Sequence, residues 1–191
     1  SLKKDLSIVA LPPNSIKLIW PLRSLDSSQF SYDVVSVYMD HNSEIGLLED
    51  YNCGKQTYDF DNYNHMGTDI MLWPFSWNMM DYEIIEVVSA ADGIIISMDD
   101  QNFDRNCTLD NFENIANAVL ILHNDGSLAI YAHLKKGSIP NKKIGDKVYQ
   151  GERIGLVGSS GQSTGPHLHF ELYDSYQNLV DPFGGKCSGI S

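Results

Sequence analysis

The chain has 191 residues, of which 42% are apolar and 20% charged, and 13 Lys plus Arg against 25 Asp plus Glu give a net charge of -12. That length suits one domain, alone or with an appended segment. The acidity and the lack of a Lys/Arg run argue against nucleic acid and an anionic membrane as partners, since both need clustered basic residues. No apolar stretch is long enough to span a bilayer.

The chain opens on Ser1-Leu2-Lys3-Lys4-Asp5, with neither an initiator Met nor a signal-peptide pattern, so a mature or trimmed product is expected. In residues 1–50, Pro12-Pro13 and Trp20-Pro21 break up short apolar pieces, and Tyr32 to Tyr38 reads as one strand. This part is expected to be an N-terminal extension packed on a core formed by residues 51–191. From there the pattern is almost entirely β. Glu83 to Ala90, Asp92-Gly93 and Ile94 to Met98 read as strand, tight turn, strand. Ala118 to His123, Asn124-Asp125-Gly126 and Ser127 to His133 read as a second hairpin, with glycine supplying the positive φ. Lys143 to Val148 and Gly151 to Gly155 look like short strands joined by glycine turns. Ser159 to Pro166 is a polar loop that delivers the chain to His167. Only Asp110 to Ala118 offers a short helix. Glycine-punctuated short strands predict a mainly β, largely antiparallel architecture.

The three cysteines, Cys53, Cys107 and Cys187, have no Cys-x-x-Cys spacing. One bridge with a spare thiol suits a secreted protein, and three reduced thiols are the plainer alternative. A Cys53–Cys107 bridge is the expected pairing, since those two flank the predicted core. Asn106-Cys107-Thr108 fits the glycosylation pattern, though its cysteine is the one expected in the bridge.

Three short motifs carry the chemistry. In His167-Leu168-His169 the imidazoles are two apart, so in a strand they project from one face while Leu168 and Phe170 enter the other. In His65-x-x-x-Asp69, Gly67 and the flanking Asp61-Asn62-Tyr63-Asn64 oppose a helix and favour a loop running into a strand. His133 follows the apolar strand Leu128 to Tyr131. Each motif alone is ordinary, and His41 and His123 read as structural histidines. Together they supply imidazoles and a carboxylate, the usual ligands of catalytic zinc, which takes three protein ligands and keeps a fourth position for water.

In this order the motifs, written HMGTD, YAHL and GPHLHFEL, resemble the lysostaphin/LytM-type zinc endopeptidases. The intervening KIGDKVYQGERIGLVGSSGQSTG is also similar to that family, and the resemblance covers about residues 51–183. It implies one Zn2+ per chain, held by His65, Asp69 and His169, with His133 and His167 flanking the water. One of these two would take the proton and the other would hydrogen-bond to the oxyanion; which does which stays open. The family often places a tyrosine before the first ligand, which makes Tyr58 and Tyr63 candidates. The implied fold is a LytM-like, two-sheet antiparallel core of the duplicated-hybrid-motif type, with a groove floored by one sheet and walled by loops. The aromatic run Met71 to Met80 either walls that groove or, as preferred here, uses Trp73 and Trp77 to pack the extension on the core. The implied activity is hydrolysis of peptide bonds in bacterial peptidoglycan by a secreted or cell-envelope monomer. A protease of glycine-rich proteins such as elastin and a non-catalytic binding or activating module are the alternatives; the complete ligand set speaks against the module.

Overall fold

The computed structural model describes residues 16–25, 32–42, 44–55, 64–109 and 115–183. Ten strands and one helix occur among them: β1 (Leu22–Ser24), β2 (Asp33–Val37), β3 (Thr68–Leu72), α1 (Ser76–Asp81), β4 (Ile85–Val88), β5 (Gly93–Asp99), β6 (Ala118–His123), β7 (Leu128–Ala132), β8 (Lys147–Val148), β9 (Arg153–Leu156) and β10 (His167–Tyr173). They form a seven-stranded sheet of order β2-β3-β10-β7-β6-β5-β8 and a three-stranded sheet of order β1-β4-β9. All pairings between these strands are antiparallel, as the short alternating strands predict.

The core lies where the inward faces of the strands meet. The large sheet contributes Ile70 and Leu72 from β3, Val119 and Ile121 from β6, Ala129 and Tyr131 from β7, and Leu168 and Phe170 from β10. The small sheet contributes Val87 and Ile154. Each large side chain buried this way stabilises the fold by about 1.5–3 kcal/mol. Tyr131 is fully buried and keeps its polar end satisfied, since its hydroxyl accepts the Ala90 N–H at 2.8 Å. Burial pushes its pKa up to about 12. β10 lies between β3 and β7, with one face on the core and the other beneath the site, so five consecutive residues, Leu168 to Leu172, are buried.

Four expectations need correction. Asp92-Gly93 does not close a hairpin, because β4 pairs with β1 and β9 while β5 pairs with β6 and β8. The turn carries the chain from one sheet to the other. The helix among the described residues is α1, inside the aromatic run. Of the expected helix at 110–118, residues 110–114 lie outside the described residues and Ala118 begins β6. Cys107 is a free, exposed thiol, so the Cys53–Cys107 pairing does not form. Its neighbours are pinned elsewhere: Asn106 N–H donates to the Ser159 carbonyl and Thr108 bridges Ser163. Cys53, by contrast, sits in a turn closed on Asp50. Finally, Trp73 is 57% exposed rather than packed under the extension, whereas Trp77 packs on the core and carries Arg105, whose guanidinium carbon lies 5.2 Å from the ring centre.

Candidate metal centre

The two-residue period of β10 sends His167, His169, Glu171 and Tyr173 to the face opposite Leu168, Phe170 and Leu172. β3 runs beside it with Asp69 directly opposite His169, so residues far apart in sequence become a cross-strand pair. His65 precedes β3 in an extended segment whose carbonyl accepts the Asp40 N–H. His169 Nδ1 lies 2.8 Å and His65 Nε2 3.1 Å from Asp69 Oδ1, and His167 Nε2 lies 3.6 Å from Asp69 Oδ2. One ligand atom from each of His65, Asp69 and His169 falls within 4.8 Å of the others, and these residues could hold a metal ion. The His133 ring completes the group, 4.5 Å from the His167 ring and 5.7 Å from that of His169 between centroids.

Every imidazole has one N–H tied down. Nδ1–H of His65 donates to the Tyr38 carbonyl at 3.0 Å, that of His133 to Ser160 at 2.7 Å, and that of His167 to Gly165 at 2.8 Å. A carbonyl only accepts, so these contacts leave each Nε2 as the lone-pair nitrogen. In His169 the roles reverse, because Nε2 faces Glu171 Oε1 at 2.8 Å and leaves Nδ1 toward Asp69. One ring nitrogen of His65 and one of His169 thus converge on a single carboxylate oxygen. Such a trio repels itself unless positive charge lies among the three atoms. A proton can serve only one pair, whereas a cation serves all three, and an N,N,O donor set suits zinc. Gly67 leaves the room required: a Cβ there would stand 2.7 Å from both Cε1 and Nε2 of His169.

The electrostatics agree. Burial opposes charge on Asp69, yet the facing histidines, His167 first, hold its pKa well below the usual carboxylate value. Burial alone would depress His169, but its hydrogen bonds to Asp69 and then Glu171 outweigh that and raise the pKa to about 9, so without a metal the ring holds a proton at Nδ1 where a cation would take its place. Burial lowers His167 despite Asp69. It lowers His133 strongly, and His167 and His169 add to the effect. Both therefore stay neutral near pH 7, with Nε2 able to accept a proton.

All five expected site residues come together. Tyr58 and Tyr63 lie outside the described residues. His41 and His123 take structural partners, Asp181 at 2.7 Å and the Asp92 carbonyl at 2.9 Å. The Asn106 side-chain amide is engaged with the Gly161 carbonyl at 2.8 Å, a structural use of the glycosylation-pattern residue. The motif reading missed Glu171, although its place two residues after His169 in one strand puts it on the same face. It also missed Asn117 and the serines of the loop before β10, which hold the carbonyls that orient His133 and His167. Nothing local in the sequence marks those.

The architecture and this cluster define the class: a mainly β domain with a histidine/carboxylate centre on its sheet face. The sequence matches Peptidase family M23 over residues 77–182, just over half of the chain, and the chain belongs to that family. His65 and Asp69 precede the matched span, so two of the three candidate ligands are joined to it through the β3–β10 pairing. Among curated relatives, an uncharacterized metalloprotease of Buchnera aphidicola is 44% identical over 66 residues, 35% of this chain and 16% of the relative. The peptidoglycan DD-endopeptidase ShyA of Vibrio cholerae is 48% identical over 56 residues, 29% of this chain and 12% of ShyA. The chain thus spans less than a fifth of the length of these relatives. In fold it is similar to Helicobacter pylori Csd3, with a TM-score of 0.50 and 22% identity over 86% of this chain and 33% of that one. Among the described residues no helix is long and apolar enough to cross a membrane.

Proposed function

We propose that this protein is a zinc-dependent endopeptidase that hydrolyses peptide bonds in bacterial peptidoglycan, in the cell envelope or outside the cell. The observation that carries the reading is the convergence of His65, Asp69 and His169 beside two neutral imidazoles, in a member of peptidase family M23. The peptidoglycan substrate is favoured by relatives such as ShyA, whose name records that activity. Residues 51–191 form the catalytic unit in this reading. Residues 1–50 are its extension in the same reading, and their described part contributes β1 and β2 to the two sheets.

His65 through Nε2, Asp69 through its carboxylate and His169 through Nδ1 would hold the ion. When bound, zinc supplies a Lewis acid that polarises the scissile carbonyl and lowers the pKa of a water toward ~7. His133 and His167 manage the proton. Each keeps Nδ1–H on a backbone carbonyl and turns Nε2 inward, so either can accept the proton of the attacking water. Once protonated, the same Nε2–H can hydrogen-bond to the developing oxyanion or hand its proton to the leaving amine. Their rings are close enough for the pair, rather than one member, to carry these steps.

The test compares zinc content and release of wall peptides from purified peptidoglycan for wild type, His169→Ala and His133→Ala. One zinc per chain with release is expected from wild type. His169→Ala should lose the metal, while His133→Ala should keep it and lose activity by roughly 10²-fold or more. Zinc with cleavage of elastin but of no wall would replace the substrate, and absence of both zinc and cleavage would sink the enzyme.

A further inference from the structure

Three alternating residues of β10 form a connected line leading away from Asp69. His169 Nδ1 is 2.8 Å from Asp69 Oδ1, and His169 Nε2–H donates to Glu171 Oε1, also at 2.8 Å. Tyr173 Oη donates to Glu171 Oε2 at 2.7 Å. Glu171 is 8% exposed and lies in the strand centre with His169 7% exposed beside it, so this is a charge held inside the protein. A buried carboxylate is costly unless its oxygens are hydrogen-bonded, and here each oxygen has its own donor. The strand's two-residue period alone places all three side chains on one face.

Building on the metal reading above, we propose that Glu171, braced by Tyr173, is a positioning residue that sets the affinity of the centre for zinc through His169. The carboxylate does this in two ways. By accepting from Nε2–H it fixes the tautomer in which Nδ1 carries the lone pair, the atom that faces Asp69 and His65. By placing negative charge behind the ring it makes Nδ1 a stronger donor toward a cation, as carboxylate–histidine pairs do at metal sites. It also adds a second negative charge to that of Asp69, so that two carboxylates balance a divalent ion. Tyr173 occupies Oε2 and keeps the carboxylate from turning off the ring. Within the ligand trio, Glu171 hydrogen-bonds to His169, at the ring nitrogen turned away from Asp69.

The experiment measures the zinc dissociation constant of the intact chain by competition with a chromogenic chelator, together with the thermal midpoint of each protein stripped of metal. Glu171→Gln keeps shape and acceptor but loses the charge, and its zinc Kd should rise about tenfold. Glu171→Ala should raise Kd by roughly 10–100-fold. Tyr173→Phe should have a smaller effect in the same direction, and the metal-free midpoint of Glu171→Gln should stay near that of wild type. Glu171→Gln and Glu171→Ala binding zinc within twofold of wild type would overturn the proposal, even if both lower the midpoint, because Glu171 would then be merely structural. A wild type that binds no zinc would instead overturn the metal reading, and this inference with it.

Discussion

His133 has φ of 64°, in the left-handed region that side chains other than glycine seldom adopt. The reason lies in the pleat of β7. Ala129 and Tyr131 face the core, so an unbroken strand would send His133 there too. The positive φ breaks the alternation, turns the imidazole to His167, and lets Leu134 enter the core. For an L residue this conformation costs about 1–2 kcal/mol, which glycine avoids. His133→Gly should therefore unfold at higher urea than His133→Ala, by about 1 kcal/mol, though neither supports peptidolysis. Equal or reversed urea midpoints would mean the backbone there is not strained. His123 tells a different story. Burial lowers its pKa from 6.5, against the Asp92 carbonyl and the charges of Asp125 and Asp92. Its Nε2 is buried without a hydrogen-bond partner among the described residues. The unfolded chain binds a proton there near 6.5 while the folded one does not, so stability falls as pH drops below that value. His123→Gln should lose less stability than wild type between pH 6.5 and 5, read from urea midpoints at each pH. The sequence marked His133 only by its motif company, since the torsion that aims it depends on packing around Leu134.

At the scale of elements, the loop between β9 and β10 is as much a part of the centre as the strands. Ser159, Ser160, Ser163 and Asn117 are almost wholly buried there. Ser160 Oγ accepts from Asn117 N–H at 2.9 Å and donates to the Leu134 carbonyl at 2.9 Å. The Asn117 side chain donates to the carbonyls of Asn102 and Leu134 and accepts from Asn102 N–H. This mesh fixes the Ser160 carbonyl, and with it the His133 ring. Asn117→Ala takes the side-chain partner from the Asn102 N–H and carbonyl, while the Leu134 carbonyl keeps Ser160 Oγ, and should cost roughly 2–3 kcal/mol in stability, given 1–3 kcal/mol for each buried group left unpaired. It should also lower the turnover number while zinc content stays at the wild-type level; loss of zinc in step with activity would refute a role through His133. The strands that carry this loop were legible, because period-two alternation and glycine turns are local signals. The crossing from β4 to β5 was not, since a tight Asp92-Gly93 turn serves a sheet change as well as a hairpin. Nor was α1, a six-residue helix held by burial of Met79 and Met80 rather than by capping or propensity.

For the molecule as a whole, the centre concentrates buried polar groups that a cation would neutralise together. Binding to the folded state alone stabilises it by mass action, about 4 kcal/mol when free ligand is a thousand times its Kd. Metal removal by a chelator should therefore lower the thermal midpoint of wild type, and zinc alone should restore it. His169→Ala should start low and respond to neither treatment. A wild-type midpoint indifferent to chelator and zinc would argue that the cluster binds no metal. The net charge of -12 argued against nucleic acid and anionic membranes without identifying a partner. The identity came instead from three motifs whose meeting place only the completed large sheet reveals.

Asp69 and His169 meet across one strand pair but stand 100 residues apart along the chain. Closing such a span is among the slower events in folding, because the entropy of the intervening loop opposes it until the contacts on both sides are made. Partly folded chains, in which β10 has not yet zipped onto β3, hold only scattered histidines and no centre. The candidate centre is thus assembled only with the finished fold, and a partly folded chain holds its residues apart.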